Sequence, residues 1–402
     1  MSTHQPFGAK RIALGVSGSI AAYKALELAS TLTKAGALVD VLLSPSAQRF
    51  VTPLAFRSLT HRPVLTGVFD PDTPEAIEHV ALAQAAEALV VAPATAHMLA
   101  KLAHGLADDP VSLLALATAA PVLVAPAMDA HMWEHPAVQA NARTLTERGA
   151  LVVGPAEGRL ASGLTGRGRL EEPAVILGHL AGLLGRNGDM AGLTVVVSAG
   201  GTAEPVDPVR VLTNRSSGKM GYALAEVARD RGARVVLVSA PTALPALAGV
   251  ELVPAATAAA MRDAVLAACK DADALVMAAA VADYRPTDPA GQKVKKERSS
   301  SLSLALERTE DILAATPRSL VRVGFAAESE DLAAHARSKL VSKALDLVVA
   351  NDITEAGSGF GADENHVLLV GPQGDEQLDR MPKYQVAWAI WDRVAALLAK
   401  RG

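Results

Sequence analysis

Uninterrupted apolar runs alternate along this chain with stretches whose apolar positions recur every three to four residues. RIALGVS (11–17) predicts a strand, AAYKALELASTLTKAG (21–36) a helix, and LVDVLLS (38–44) a second strand, which together make a βαβ opening. EALVVAPAT (87–95), PVLVAPAM (121–128) and LVVGP (151–155) continue the series with helices between them. Strands that are apolar throughout predict a parallel sheet covered by helices on both faces. GRNGDMAG (185–192) is a polar, glycine-rich joint, which sets one domain over 1–186 and a second over 187–402. The second repeats the grammar of the first: TVVVSAGG (194–201), helix GYALAEVARDRGA (221–233), strand RVVLVSAPT (234–242), helix TAAAMRDAVLAAC (257–269) and strand DALVMAAAVADY (273–284). The expected fold class is α/β, with two doubly wound, mostly parallel-sheet, Rossmann-like domains. Such sheets bind ligands at the carboxyl ends of their strands, so the loops after Val16, Leu43, Val91, Val124, Val197, Val238 and Met277 are the places to search.

Composition narrows this further. Half of the 402 residues are apolar, only 3% are aromatic, and the net charge is −4. A nucleic-acid surface would show a basic excess and aromatic platforms, so small molecules are the expected partners. The single cysteine, Cys269, excludes an intramolecular disulfide framework and a cysteine-rich metal site, and fits a reducing, cytoplasmic setting. KRIALGVSGSIAAY (10–23) imitates an export signal, but Gly15, Ser17, Gly18 and Ser19 break its apolar core; strand plus loop is the reading. VSLLALATAAPVLVAPAM (111–128) carries Pro121 and Pro126 and reads as a helix followed by a buried strand, not a membrane span.

GVSGSIAAYK (15–24) lacks the G-x-G-x-x-G spacing of a dinucleotide site. A Gly-Ser loop that opens a helix still offers backbone N–H groups and a helix dipole to an anion, although a simple tight turn has the same appearance. Ser44, PATA (93–96) and PAMDAHMW (126–133) lie at the following strand ends. GSIAAYK, EHVALA, APATAHMLAKLAHGLADD and PAMDAHMW together resemble the FMN-dependent decarboxylases of peptidyl or pantothenoyl cysteine. The resemblance implies a flavodoxin-like, FMN-binding first domain. It places the cofactor on Ser17, Gly18, Ser19, Ile20, Ser44, Thr95, Ala96 and Met128, and makes His79 the active-site histidine. There the flavin oxidises the substrate thiol, and the resulting β-thioketo acid loses carbon dioxide. An imidazole that titrates near neutrality suits the accompanying proton transfer. Two positions depart from the family. Asp129, at the substrate carboxylate, stands where Asn is usual, and Ser162 stands where a Cys protonates the enethiolate product. An ionised Asp129 would repel a nearby carboxylate, and a hydroxyl is a far poorer acid than a thiol.

In the second half, DPVRVLTNRSSGKMG (207–221) presents Asn214, Ser216, Ser217 and Lys219 at a helix start; Met220 excludes a Walker loop. AAAVADYRP (278–286) follows a strand, so small side chains let a planar base approach the backbone, and Lys293, Lys295 and Lys296 follow as flexible point charges. With GFAAES (324–329), Lys339, Lys343 and AND (350–352), the series resembles phosphopantothenate-cysteine ligase. The two halves in this order resemble the bifunctional decarboxylase/ligase family of coenzyme A biosynthesis. The resemblance implies that CTP and Mg²⁺ convert 4'-phosphopantothenate to an acyl-cytidylate, from which cysteine displaces CMP. It assigns Met277, Ala278, Ala279, Ala280, Asp283, Asp311, Ile312, Phe325, Lys339 and Lys343 to substrate binding, and makes Asn214 and Lys293 catalytic; Mg²⁺ ligands stay unassigned. The family's Asn-Pro-Asp-Ile segment reads TEDI (309–312) here and keeps Asp311. The resemblance also implies homo-oligomers, trimeric through the flavin domain and dimeric through the ligase domain. Two alternatives stay open: a nicotinamide reductase for the whole chain, and a flavin-binding regulatory or structural first half with weak or no decarboxylase activity.

Overall fold

The computed structural model describes residues 4–67, 75–295, 302–328, 330–352, 361–372 and 374–401, without the side chains of 75–79, 328 and 352. Its contacts divide the chain into two compact units, His4–Leu184 and Gly185–Gly402.

The N-terminal unit runs β1 (Arg11–Val16), α1 (Ala22–Lys34), β2 (Leu38–Leu43), α2 (Pro53–Thr60), β3 (Val64–Leu65), α3 (Glu75–Ala85), β4 (Ala88–Ala94), α4 (Ala96–His104), α5 (Pro110–Ala117), β5 (Val122–Pro126), α6 (Ala130–Glu134), α7 (Pro136–Glu147), β6 (Leu151–Val152), β7 (Ala156–Arg159), β8 (Thr165–Arg169) and α8 (Pro173–Gly185). Six parallel strands lie in the order β3-β2-β1-β4-β5-β6. Side chains alternate across a strand, so Ile12, Leu14 and Val16 of β1 join one buried layer with α1 and α8, while Ala13 joins the opposite layer with α4, α5 and α7. Two covered faces explain why these strands are apolar at every position. The run 111–128 forms most of α5 and then β5, and among the described residues no helix is long and apolar enough to cross a membrane.

The C-terminal unit runs β9 (Thr194–Ala199), β10 (Ala203–Pro205), β11 (Val211–Thr213), α9 (Lys219–Asp230), β12 (Arg234–Ser239), β13 (Glu251–Pro254), α10 (Ala258–Ala268), β14 (Ala274–Met277), β15 (Tyr284–Pro286), β16 (Leu306–Arg308), α11 (Ile312–Ala315), β17 (Val321–Glu328), α12 (Leu332–Ser342), β18 (Leu347–Asp352), β19 (Glu364–Asn365), β20 (Val367–Gly371), β21 (Gly374–Gln377), β22 (Met381–Pro382) and α13 (Lys383–Leu398). Its main sheet has the order β13-β12-β9-β14-β17-β18-β20-β21. The strands are parallel through β18, and β20 and β21 add an antiparallel edge. In both sheets the order reverses at a central pair, β1/β4 in one and β9/β14 in the other. A crevice opens where the connections leave in opposite directions, and this is where ligand sites form in such folds.

Candidate functional site

At the β1/β4 switch point the first loop is braced across the sheet. The Ser17 hydroxyl donates to the Pro93 carbonyl at 2.7 Å and accepts the Thr95 N–H at 2.9 Å. Thr95 in turn caps α4 by accepting the Met98 N–H at 3.2 Å. Ser44 is also buried: its hydroxyl lies 3.2 Å from that of Ser46 and accepts the Ala47 N–H. The hydroxyls of Ser17 and Ser44 therefore hold loops together, and the loop's backbone is what remains to meet a ligand. Gly18 is required here, because a Cβ would come within 2.5 Å of the Ser46 Cβ. Unlike α4, α1 begins without a side-chain cap: Ala21 is its N-cap. An uncapped helix start beside a Ser-Gly-Ser-Ile loop suits a phosphate. Ala96 opens α4, and Met128 follows β5, its N–H donating to the Gly168 carbonyl at 2.9 Å.

The Gly168 contact brings the β7–β8 hairpin against Met128 and Asp129. A Cβ at Gly168 would lie 2.3 Å from the Met128 carbonyl oxygen, so only glycine permits the approach. The tip of the hairpin carries Ser162, whose hydroxyl donates to Asp129 at 2.7 Å; Asp129 also caps α6 by accepting the His131 N–H at 3.1 Å. The two residues that depart from the family pattern are thus partners of one another. Both bonds stabilise the anion, the Ser162 hydroxyl more than the His131 N–H, and they hold the Asp129 carboxyl below the usual carboxylate range. Its stabilisation is accordingly present at neutral pH and lost only as pH falls below that range. Ser162→Ala is expected to raise the Asp129 pKa in a carboxyl NMR titration; an unchanged value would remove the bond. Cys269 does not supply the missing thiol. It is buried in the other unit, and burial pushes its pKa up to about 11. His79 lies in α3, and its side chain is outside the described residues.

The second switch point carries a cavity of about 610 Å³. Its floor is built by cross-strand bonds: the Ala279 N–H donates to the Ser198 hydroxyl at 3.1 Å, that of Ala280 to the Gly200 carbonyl at 2.8 Å, and that of Ala282 to the Thr202 hydroxyl at 2.9 Å. Thr309 closes one side, its N–H donating to the Asp283 carbonyl and its hydroxyl to that of Ala282. Met277, Ala279, Asp283, Asp311, Ile312, Phe325, Lys339 and Lys343 all line the cavity. Lys339 donates to the Phe325 carbonyl at 2.6 Å, and Lys343 forms an ion pair with Asp311. Burial alone would raise the Asp311 pKa; Lys343 and the Ala314 N–H outweigh it, and the group is held low. Ala278 and Ala280 are not among the lining residues: Ala278 packs against the core that holds α9 and α13, and Ala280 supports the floor through its bond to Gly200.

Asn214 stands next to this cavity, with its side-chain amide donating to the Val281 carbonyl at 3.1 Å. The following loop reaches α9, whose N-cap Gly218 has a φ of 77°; the Ser216 hydroxyl accepts the Gly218 N–H at 3.3 Å and the Ser217 hydroxyl the Lys219 N–H at 3.4 Å. Lys293 is not among the lining residues. Its loop is pinned to the turn before β11: the Val294 N–H donates to Asp207 at 3.2 Å, and Arg210 donates to the Val294 carbonyl at 2.7 Å. Against the burial that would raise it, the N–H groups of Val209 and Val294 and the Arg210 guanidinium bring Asp207 down to about 2. Lys296 lies outside the described residues. Tyr284, Arg308 and Glu310 also line the cavity, and sequence reasoning missed them. Tyr284 and Arg308 face each other across the β15–β16 pair and stand 24 positions apart in the sequence, so no local motif joins them.

Comparison with known proteins finds a match for each half of the chain. Residues 1–185 match the flavoprotein family, and residues 190–398 match the DNA/pantothenate metabolism flavoprotein C-terminal domain family. The chain is 44% identical over 402 residues to the coenzyme A biosynthesis bifunctional protein CoaBC of Bacillus subtilis, covering 98% of each chain. It is 45% identical to the CoaBC of Mycolicibacterium smegmatis, covering 97% of this chain and 98% of that one. A crystal structure of the C-terminal domain of a CoaBC protein matches 53% of this chain and all of that chain, at 35% identity and a TM-score of 0.46. Two matched domains in this order and full-length relatives of this identity leave one assignment: the chain belongs to the CoaBC family of bifunctional coenzyme A biosynthesis enzymes, which unite a flavoprotein decarboxylase and a ligase.

Proposed function

We propose that the C-terminal unit, from about residue 187, joins 4'-phosphopantothenate to cysteine at the expense of CTP, and that the N-terminal unit, residues 1 to about 186, decarboxylates the product to 4'-phosphopantetheine with FMN. The observation that carries the ligase reading is the cavity at the β9/β14 switch point, where Asp283, Phe325, Lys339 and Lys343 share one wall system. Phe325, Met277 and the small Ala279 suit a planar base, and the lysines suit a triphosphate. Transfer of the carboxylate to the α-phosphate builds negative charge as pyrophosphate leaves, and fixed cations stabilise that charge. Mg²⁺ would share this task. Among the described residues no group of three or more His, Cys, Asp or Glu side chains is placed to hold a metal ion, so the ion would come with the triphosphate.

In the N-terminal unit the loop 17–20 and the start of α1 would hold the FMN phosphate, with Thr95, Ala96 and Met128 beside the rings. Bound FMN would supply the two-electron oxidation that turns the substrate's cysteine into a β-thioketo acid and, once carbon dioxide has left, would return the two electrons to the enethiolate to give the thiol; His79 would move the proton. A second reading, flavin binding with weak or no decarboxylation, is favoured by one observation: the Ser162 hydroxyl is committed to an ionised Asp129. We place the enzyme in the cytoplasm as a homo-oligomer.

Incubation with phosphopantothenate, cysteine and CTP, following CMP, pyrophosphate and carbon dioxide separately, tests the two activities. Stoichiometric CMP and pyrophosphate with carbon dioxide is the expected result. CMP without carbon dioxide would select the second reading, and no CMP would sink the ligase assignment.

A further inference from the structure

Arg322 lies in β17 between Val321 and Val323 and is only 3% exposed. The two valines join the core with α9 and α13, so Arg322 points to the opposite layer, where Leu313 of α11 and Ala336 and Leu340 of α12 are buried. A strand position facing a hydrophobic layer calls for an aliphatic side chain, and a cation there loses its hydration. Its hydrogen bonds show what it does instead. One terminal nitrogen donates to the Leu313 carbonyl at 3.2 Å; the other donates to the carbonyls of Lys343, at 3.5 Å, and Ala344. The Nε is buried without a partner, so the contacts of the two terminal nitrogens set its position.

These acceptors are not scattered. α12 closes through bonds from the Ala344 N–H to Val341 and from the Leu345 N–H to Leu340, with Ala344 at a φ of 49°. This is the Schellman closure with alanine where glycine is usual, and the guanidinium takes the carbonyls of the turn. The Leu313 carbonyl belongs to α11, whose N-cap is Asp311. One buried side chain therefore ties the backbone beside Asp311 and Ile312 to the backbone of Lys343, and Asp311 and Lys343 pair on the cavity wall.

We infer that Arg322 is a positioning residue of the ligase site, a brace that keeps α11 and the end of α12 at the spacing at which Asp311 and Lys343 meet the nucleotide. The inference rests on reading the cavity as the CTP site. Arg322→Met keeps the aliphatic part of the side chain and removes its donors, releasing the Lys343 and Ala344 carbonyls of the turn and leaving the Leu313 carbonyl to the Thr316 hydroxyl alone among side chains, so the link between the two segments is lost. In the full-length enzyme it should speed amide exchange at 311–316 and 343–346 and raise the KM for CTP by about tenfold, with a smaller change in kcat. Lys343→Met should raise the same KM, and the double variant should do no more than the larger single change, because the brace acts through Lys343. Arg322→Gln retains two donors; it should recover part of the effect and serves if the Met variant does not fold. Unchanged exchange in both segments would overturn the brace, as would additive effects on the KM or a loss of stability with the KM untouched. If Lys343→Met itself leaves the KM for CTP unchanged, the nucleotide reading fails; the brace is then judged by exchange alone, holding if both segments open faster and falling if they do not.

Discussion

His79→Asn is expected to lower carbon dioxide release by about 10²- to 10⁴-fold while the flavin spectrum and CMP formation persist. The reason is chemical: an amide of similar size can hydrogen-bond but cannot exchange a proton near neutral pH, where an imidazole does. His79 lies in α3, and that helix is tied to the chain just before β5, where the Thr118 hydroxyl donates to the Ala83 carbonyl at 2.9 Å. An unaltered rate of carbon dioxide release would remove His79 from the mechanism. Loss of the flavin together with activity would make it a binding residue instead.

Lys339→Met should reduce CTP-dependent acyl-cytidylate formation by about 10²- to 10³-fold, the range typical of losing one preorganised donor to developing charge. Lys339 comes from α12 and crosses to β17, where its ammonium donates to the Phe325 carbonyl at 2.6 Å. That bond holds the cation over the cavity before any ligand arrives, so little reorganisation is needed when the leaving pyrophosphate gains charge. Lys343 is already paired with Asp311 and cannot replace it without giving up that pair. Isotope exchange between pyrophosphate and CTP in the presence of phosphopantothenate reads the step directly. Parental exchange, with only cysteine capture slowed, would move Lys339 out of the first half-reaction.

The local pattern of this chain was enough to determine the central buried strands of both sheets, the helices between them and their parallel arrangement, because buried strands and amphipathic helices bear different apolar periods over short windows. It also determined where to look: the loop after β1 and the loop after β14 both fall at switch points, a consequence of connection direction that can be read once the elements are known. The motif residues Asp283, Asp311, Phe325, Lys339 and Lys343 do meet around one cavity. Other features depended on contacts between distant segments. The antiparallel edge β20–β21 follows a connection that turns back, and the hairpin β7–β8 is short and glycine-rich, with polar and charged positions that carry no strand signature. The bond that joins Asp129 to Ser162 spans 33 positions and exists because Gly168 lets a hairpin approach the Met128 carbonyl. Lys293 reads as a swinging charge, yet its loop is pinned by Asp207 and Arg210 more than 80 positions away. Arg322 stands in the sequence as one polar residue between valines, a position equally compatible with a solvated strand face. Only the packing of α11 and α12 over that face decides that it is buried and that helix-end carbonyls, not water, receive its charge. Hydrophobic period is a property of neighbours along the chain, whereas the partner of a buried polar group is set by whichever segment folding brings against it.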